Sequence, residues 1–185
     1  MSTSEKEKML AGEFYNASDP QLVAERERAR ELCKALKALA PSAPAAEYSA
    51  LLAKLFATSI NAHVIPPFFC DYGYNIQLGE NVFFNFNCVV LDVAKVTIGN
   101  NVLFGPAVQI YTAVHPMTVA ERRCGLEFAK PINIGNDVWI GGGAIICPGV
   151  IIGDGSVIGA GSVVVRNIPA NVFAAGNPCR VIREL

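Results

Sequence analysis

At 185 residues the chain has room for one domain with an appendage. A 52% hydrophobic and 17% charged content excludes a disordered chain, and a net charge of −1 offers no basic surface to nucleic acid or to an anionic membrane. No apolar run reaches the roughly 18 residues that suit a membrane span, and the polar opening MSTSEKEKML lacks the apolar heart of a secretory leader, so a cytoplasmic protein is expected.

In chain order, AGEFYN (11–16) leads to Asp19-Pro20, where an aspartate cap and a proline at the first helical position start a helix. Leu22, Ala29, Leu32, Cys33, Leu36 and Leu39 line one face; Glu25, Arg26, Glu27, Arg28, Arg30 and Glu31 line the other. Pro41 and Pro44 end it. Ser42 is expected to cap a second helix with the stripe Tyr48, Leu51, Leu52, Leu55, Phe56 and Ile60. Helices this short are marginal alone and need a base to pack on. The chain therefore reads as a helical cap over 1–60 and a second unit over 61–185.

From His63 the pattern changes. The prolines of VIPPFF (64–69) forbid a helix, and this segment leads into a repeat. Pairs recur at Leu78-Gly79, Phe84-Asn85 and Val90-Leu91, then eight residues on at Ile98-Gly99, then at Phe104-Gly105 and Ile110-Tyr111. Two extra residues fall around Asp92–Lys95 and predict a bulged corner. After Thr112 the segment AVHPMTVAERRCGLEFAK (113–130) has no such period and carries five charges. A long loop inside a repeat is usually functional and should project sideways. The register returns with Ile134, Ile140, Ile146, Ile152, Ile158 and Val164. A period of six fits neither an amphipathic helix nor one long strand. It fits a short strand plus a corner, with three edges making an 18-residue triangular coil and the six-spaced side chains stacked inside. The main domain is thus expected to be all-β, a parallel β-helix. The tail turns at Gly176-Asn177-Pro178.

There are two histidines. His115 lies in the ejected loop, where an imidazole could act as general base or simply cap the surface; His63 lies at the start of the repeat. The six cysteines have no zinc spacing and read as free thiols, Cys88 and Cys147 being small wall residues. A zinc hydratase on such a coil would take three imidazoles, so no metal is expected. There is no nucleophile elbow and no P-loop. Gly141-Gly142-Gly143 can expose backbone N–H groups to a ligand. Hexapeptide coils also serve as scaffolds, so a non-catalytic module stands as the alternative reading.

The segments CDYGYNIQLGENVFFNFNCVVLDV, IYTAVHP, KPINIGNDVWIGGGAIICPGVIIGD, GAGSVVVRNIP and GNPCRVI resemble the maltose and galactoside O-acetyltransferases of the hexapeptide-repeat family, more closely the maltose type. The cap, with AGEFYN and DPQLVAERERA, resembles that branch's helical cap. The resemblance implies a left-handed coil, against the general preference of parallel crossovers. It also implies acetyl transfer from acetyl-CoA to a sugar hydroxyl by direct attack, with no metal. His115 would be the base and Asn85 would stabilise the transition state and help bind the acceptor. Asp71, Asp92 and, from the cap, Arg26 would also serve the acceptor. Trp139, Gly142, Ala160, Val165, Arg166, Arg180 and Arg183 would hold the coenzyme. The galactoside enzymes carry aspartates where this chain has Ala17 and Val93, which turns the expected acceptor toward maltose or glucose; a non-sugar acceptor is the remaining option. The family also implies a homotrimer with sites between neighbouring coils.

Overall fold

The six-spaced aliphatic residues stack because short strands one turn apart pair in register. About six turns wind between residues 62 and 175 in this computed structural model, which describes residues 3–40, 42–57 and 61–185. Each turn adds strands to three parallel sheets. The first wall holds Ala62–Val64, Val82–Phe84, Leu103–Phe104, Trp139–Ile140, Val157–Ile158 and Val172–Ala175. The second holds Phe68–Cys70, Cys88–Leu91, Gln109–Tyr111, Ile145–Ile146 and Val163–Val164. The third holds Ile76–Leu78, Val96–Ile98, Ile132–Ile134 and Ile151–Ile152.

Alternation along each strand sends one residue in and the next out. Phe84, Phe104, Ile140 and Ile158 follow one another inward up the first wall, while Phe83, Leu103, Trp139 and Val157 follow outward. Leu78, on the edge strand of the third wall, is only partly buried. The bulged corner falls at residues 92–95, as the eight-residue spacing predicts, and Asp92, Val93 and Ala94 are buried in it. Side-chain amides run up one edge of the prism: Asn61 donates to Asn81, Asn81 to Asn101 and Asn101 to Asp137. Gly141 is required where turns touch, since a Cβ there would lie 2.5 Å from the Ala160 nitrogen.

The cap closes the lower end. Helix α1 (Glu5–Ala11) is one the sequence reading did not expect; Ser4 and Glu7 form a capping box at its start and Met9 is buried. Helix α2 (Pro20–Ala38) begins as predicted, with the Asp19 carboxylate accepting from the Gln21 and Leu22 amides. Helix α3 (Ala45–Phe56) starts after Pro44 with no side-chain cap, so Ser42 does not play the part expected of it. Pro41 and Ile60 lie outside the described residues. Ala29, Cys33, Leu36, Leu52, Leu55 and Phe56 join one continuous core with Val64, Phe68 and Phe84. The base the helices needed is the first turn of the coil: Phe56, Phe68, Phe84 and Phe104 pack ring on ring along the axis.

Residues 113–130 leave the corner between the second and third walls as an ordered flap. Strands Ala113–Val114 and Leu126–Ala129 pair antiparallel, and helix α4 (Val119–Arg123) joins them. The strand Tyr15–Asn16 completes a three-stranded sheet by pairing with Leu126–Glu127.

Candidate active site

The flap and cap meet over a cavity of about 250 Å³. It is lined by Tyr15, Ala17, Arg26, Arg30, Asp71, Tyr72, Leu91, Val93, Ala113, His115 and Glu127. His115 follows the flap's first strand. Its ring is 58% exposed, and its Nε2 lies 3.9 Å from Oε1 of Glu127. The Tyr15 hydroxyl donates to the other oxygen of Glu127 at 2.8 Å.

Arg26 reaches the cavity from α2. It donates to the Tyr72 hydroxyl at 2.8 Å and to the Ala17 carbonyl at 2.6 Å. Burial opposes its charge, but the Tyr72 bond and the nearby Asp71 outweigh that and strengthen its hold on the proton. Asp71 is half-buried on the cavity floor; burial raises its pKa, and Arg26 partly offsets the rise. Burial also pushes the Tyr72 hydroxyl up to about 12, so it stays neutral while it accepts from Arg26.

Asp92 requires a correction. It was expected to bind the acceptor, yet it is fully buried and does not line the cavity. One oxygen accepts from the Asp71 and Tyr72 amides at 3.0 and 2.9 Å, and the other from the Asn75 amide at 3.3 Å. Its carboxylate shapes the turn that presents Asp71. Burial raises its pKa to about 7 despite those amides.

The remaining expected residues divide between two corners of the prism. Asn85, Gly142 and Ala160 lie where the first wall turns into the second, and Trp139, 55% exposed, stands on the first wall beside them. Arg180 and Arg183 lie on the last strand, Arg180–Glu184, which pairs with Val172–Ala175 of that same wall; the Arg183 guanidinium sits 6.0 Å from the Phe173 ring. His115, Asp71, Val165 and Arg166 lie at the opposite corner, where the second wall turns into the third. A wall is roughly 15 Å across, at about 3.3 Å per residue. One chain therefore does not bring Asn85 to His115. The Asn85 side chain instead accepts from the Phe86 amide at 2.8 Å.

Sequence reasoning missed Tyr15, Arg30, Tyr72 and Glu127 as cavity residues. Glu127 had a signal: Leu126-Glu127-Phe128-Ala129 alternates with the period of a strand. Tyr15 had none, because its pairing partner is 112 residues away. Among the described residues no cluster of His, Cys, Asp and Glu is placed to hold a metal ion, and no helix is long and apolar enough to cross a membrane.

A three-walled parallel coil broken by one histidine-bearing flap is the architecture expected of a hexapeptide-repeat acyltransferase. Comparison with known proteins agrees. Residues 8–59 match the family model "Maltose acetyltransferase hexapeptide capping motif", and residues 131–166 match "Bacterial transferase hexapeptide (six repeats)". Nodulation protein L of Rhizobium leguminosarum bv. viciae is 52% identical, over 98% of this chain and 95% of that protein. The crystal structure of a maltose O-acetyltransferase from Clostridium difficile 630 superposes with a TM-score of 0.96 at 47% identity, covering 100% of this chain and 99% of the other. A galactoside acetyltransferase in complex with coenzyme A gives 0.90 at 41% identity, covering 100% and 91%. The chain belongs to the hexapeptide-repeat acetyltransferases, in the branch that carries the maltose acetyltransferase capping motif. Its coil is the left-handed β-helix of that family.

Proposed function

We propose that this protein transfers the acetyl group of acetyl-CoA to a hydroxyl of a sugar, a glucosyl type such as maltose or glucose, with His115 as general base. One observation carries the reading. The break in the repeat leaves His115 lining one cavity with Asp71 and Arg26, a carboxylate and a guanidinium suited to accept from and donate to hydroxyl groups. The coenzyme A complex of the similar galactoside acetyltransferase supports acetyl-CoA as the donor. A scaffold would leave that built cavity without a use.

Acetyl-CoA supplies an activated thioester. Asp71 and Arg26 orient the acceptor. The imidazole of His115 takes the hydroxyl proton as oxygen bonds to the acetyl carbon, then gives it to sulfur as the carbon–sulfur bond breaks. Such a base contributes about 10²–10⁴ in rate. The Asn85 amide donates to the developing oxyanion, a type of contact worth roughly 2.7–4 kcal/mol. Trp139, Gly142 and Ala160 line the coenzyme's path with Val165 and Arg166, and Arg180 and Arg183 meet its phosphates.

These roles need a second copy, because Asn85 and Trp139 sit a wall's width from His115 and Arg166. A homotrimer closes this heterologous contact and yields three equal sites, each shared by two chains. The cytoplasm fits, since it keeps the six cysteines as the free thiols present here. An acceptor screen that follows free thiol release from acetyl-CoA tests the reading. Maltose or glucose should release thiol well above galactosides. Release with an amine or an antibiotic but with no sugar would refute the sugar acceptor.

A further inference from the structure

The flap's register places three side chains in one row. Val114 pairs with Phe128, so His115 stands opposite Glu127 one step further out; on Glu127's other side, Tyr15 is its direct partner. Directly opposed residues of antiparallel strands share a face with Cβ atoms about 4.5–5.5 Å apart. Tyr15, Glu127 and His115 therefore form a cross-strand row on a three-stranded sheet, facing the cavity together. We propose that Glu127 is the positioning residue of the base: its carboxylate, held by the Tyr15 hydroxyl, orients the His115 imidazole and balances the charge it gains on taking the acceptor's proton. This rests on the reading of His115 as the base.

The chemistry of the row supports the assignment. One Glu127 oxygen is occupied by Tyr15 at 2.8 Å, and the other is turned to Nε2. The 3.9 Å separation exceeds a hydrogen bond by about 1 Å. Rotation of the exposed ring closes such a gap on the ps–ns scale. Tyr15 is buried beside Met9, Leu22 and Tyr72, so its hydroxyl is fixed by packing. Burial and the adjacent carboxylate raise its pKa far above neutrality, so it remains a donor and Glu127 remains the acceptor. The proton moves from acceptor to imidazole to sulfur, and the carboxylate takes no part in the transfer.

Steady-state kinetics of Glu127→Gln, His115→Ala and the double variant test the proposal. Glu127→Gln keeps the side chain's shape and an oxygen for Tyr15, yet removes the charge. It should lower kcat by about tenfold or more and leave both KM values near wild type. In the His115→Ala background it should cost nothing further, since both residues act through one proton transfer. Tyr15→Phe keeps the buried ring and should give a smaller loss of the same kind; it also serves if Glu127→Gln disturbs the flap. A raised acceptor KM with unchanged kcat would make Glu127 an acceptor ligand and overturn the proposal. So would an undiminished loss in the double variant. If His115→Ala alone is crippled while Glu127→Gln turns over like wild type, the base survives and this inference fails. If His115→Ala turns over normally, both readings fall.

Discussion

The coil from Pro131 to Val165 and the flap from Ala113 to Lys130 differ in how their residues are employed. In the coil each inward residue repeats its neighbour's work one turn away: Ile140 sits on Phe104 and under Ile158, all of them buried. In the flap no residue repeats another's work. His115, Glu127 and the cap's Tyr15 each occupy a single place, and their alignment depends on chain segments far apart in sequence. A repetitive scaffold gains stability by summing like contacts between neighbours. A site gains chemistry by departing from that pattern, and the departure needs outside support, here the strand Tyr15–Asn16.

The contrast can be broken from either side. The largest effect should come from the unique residues. His115→Ala and Asn85→Ala should each lower turnover by at least about a hundredfold with an unchanged melting temperature. Mixed, dissociated and reassembled, the two variants should regain part of the activity, because some shared sites then draw an intact residue from each chain. No recovery on mixing would break the two-corner reading. From the side of the coil, Ile140→Ala should cost about 2–5 kcal/mol in urea unfolding, while the chain that remains folded keeps its kcat. A specific loss of kcat there would erase the distinction between scaffold and site.

Asp92 sharpens the boundary, since it is a buried coil residue that holds the turn carrying Asp71. Its carboxyl has a pKa of about 7 in the fold, against 3.8 for an ordinary aspartate. The folded state therefore holds an extra proton between those values. The stability this confers is complete at lower pH and is lost as pH rises toward about 7. Asp92→Asn cannot ionise, so the wild type's melting temperature should fall relative to the variant's as pH rises from about 5 to 8, by roughly 2–4 °C per kcal/mol. Parallel curves would show that Asp92 does not titrate in this range.

What the sequence disclosed follows the same division. The inward residues from Phe84 to Val164 were legible because a six-residue period has one physical solution, a stacked coil. The two extra residues before Lys95 and the ejected segment were legible as faults in that period. The start of α2 was legible because Asp19-Pro20 is a local signal. Helix α1 was not, since a seven-residue helix buries only Met9 and shows no stripe. The role of Asp92 was hidden because nothing local distinguishes a carboxylate that meets ligand from one that meets backbone amides. The Tyr15 contact was hidden because pairing across 112 residues leaves no mark on neighbouring positions.

The short strand at Tyr15–Asn16 also bears on the order of assembly. Each turn of the coil closes on the one just before it, after about twenty residues or, across the flap, 36, whereas this strand must wait until residues 126 and 127 exist to receive it. Ring closure over that distance costs more chain entropy than any step between turns, and contacts so remote slow folding. On a ribosome the machinery around His115 would be among the last parts to set, so a chain arrested before residue 126 could build its lower turns and still lack a working centre.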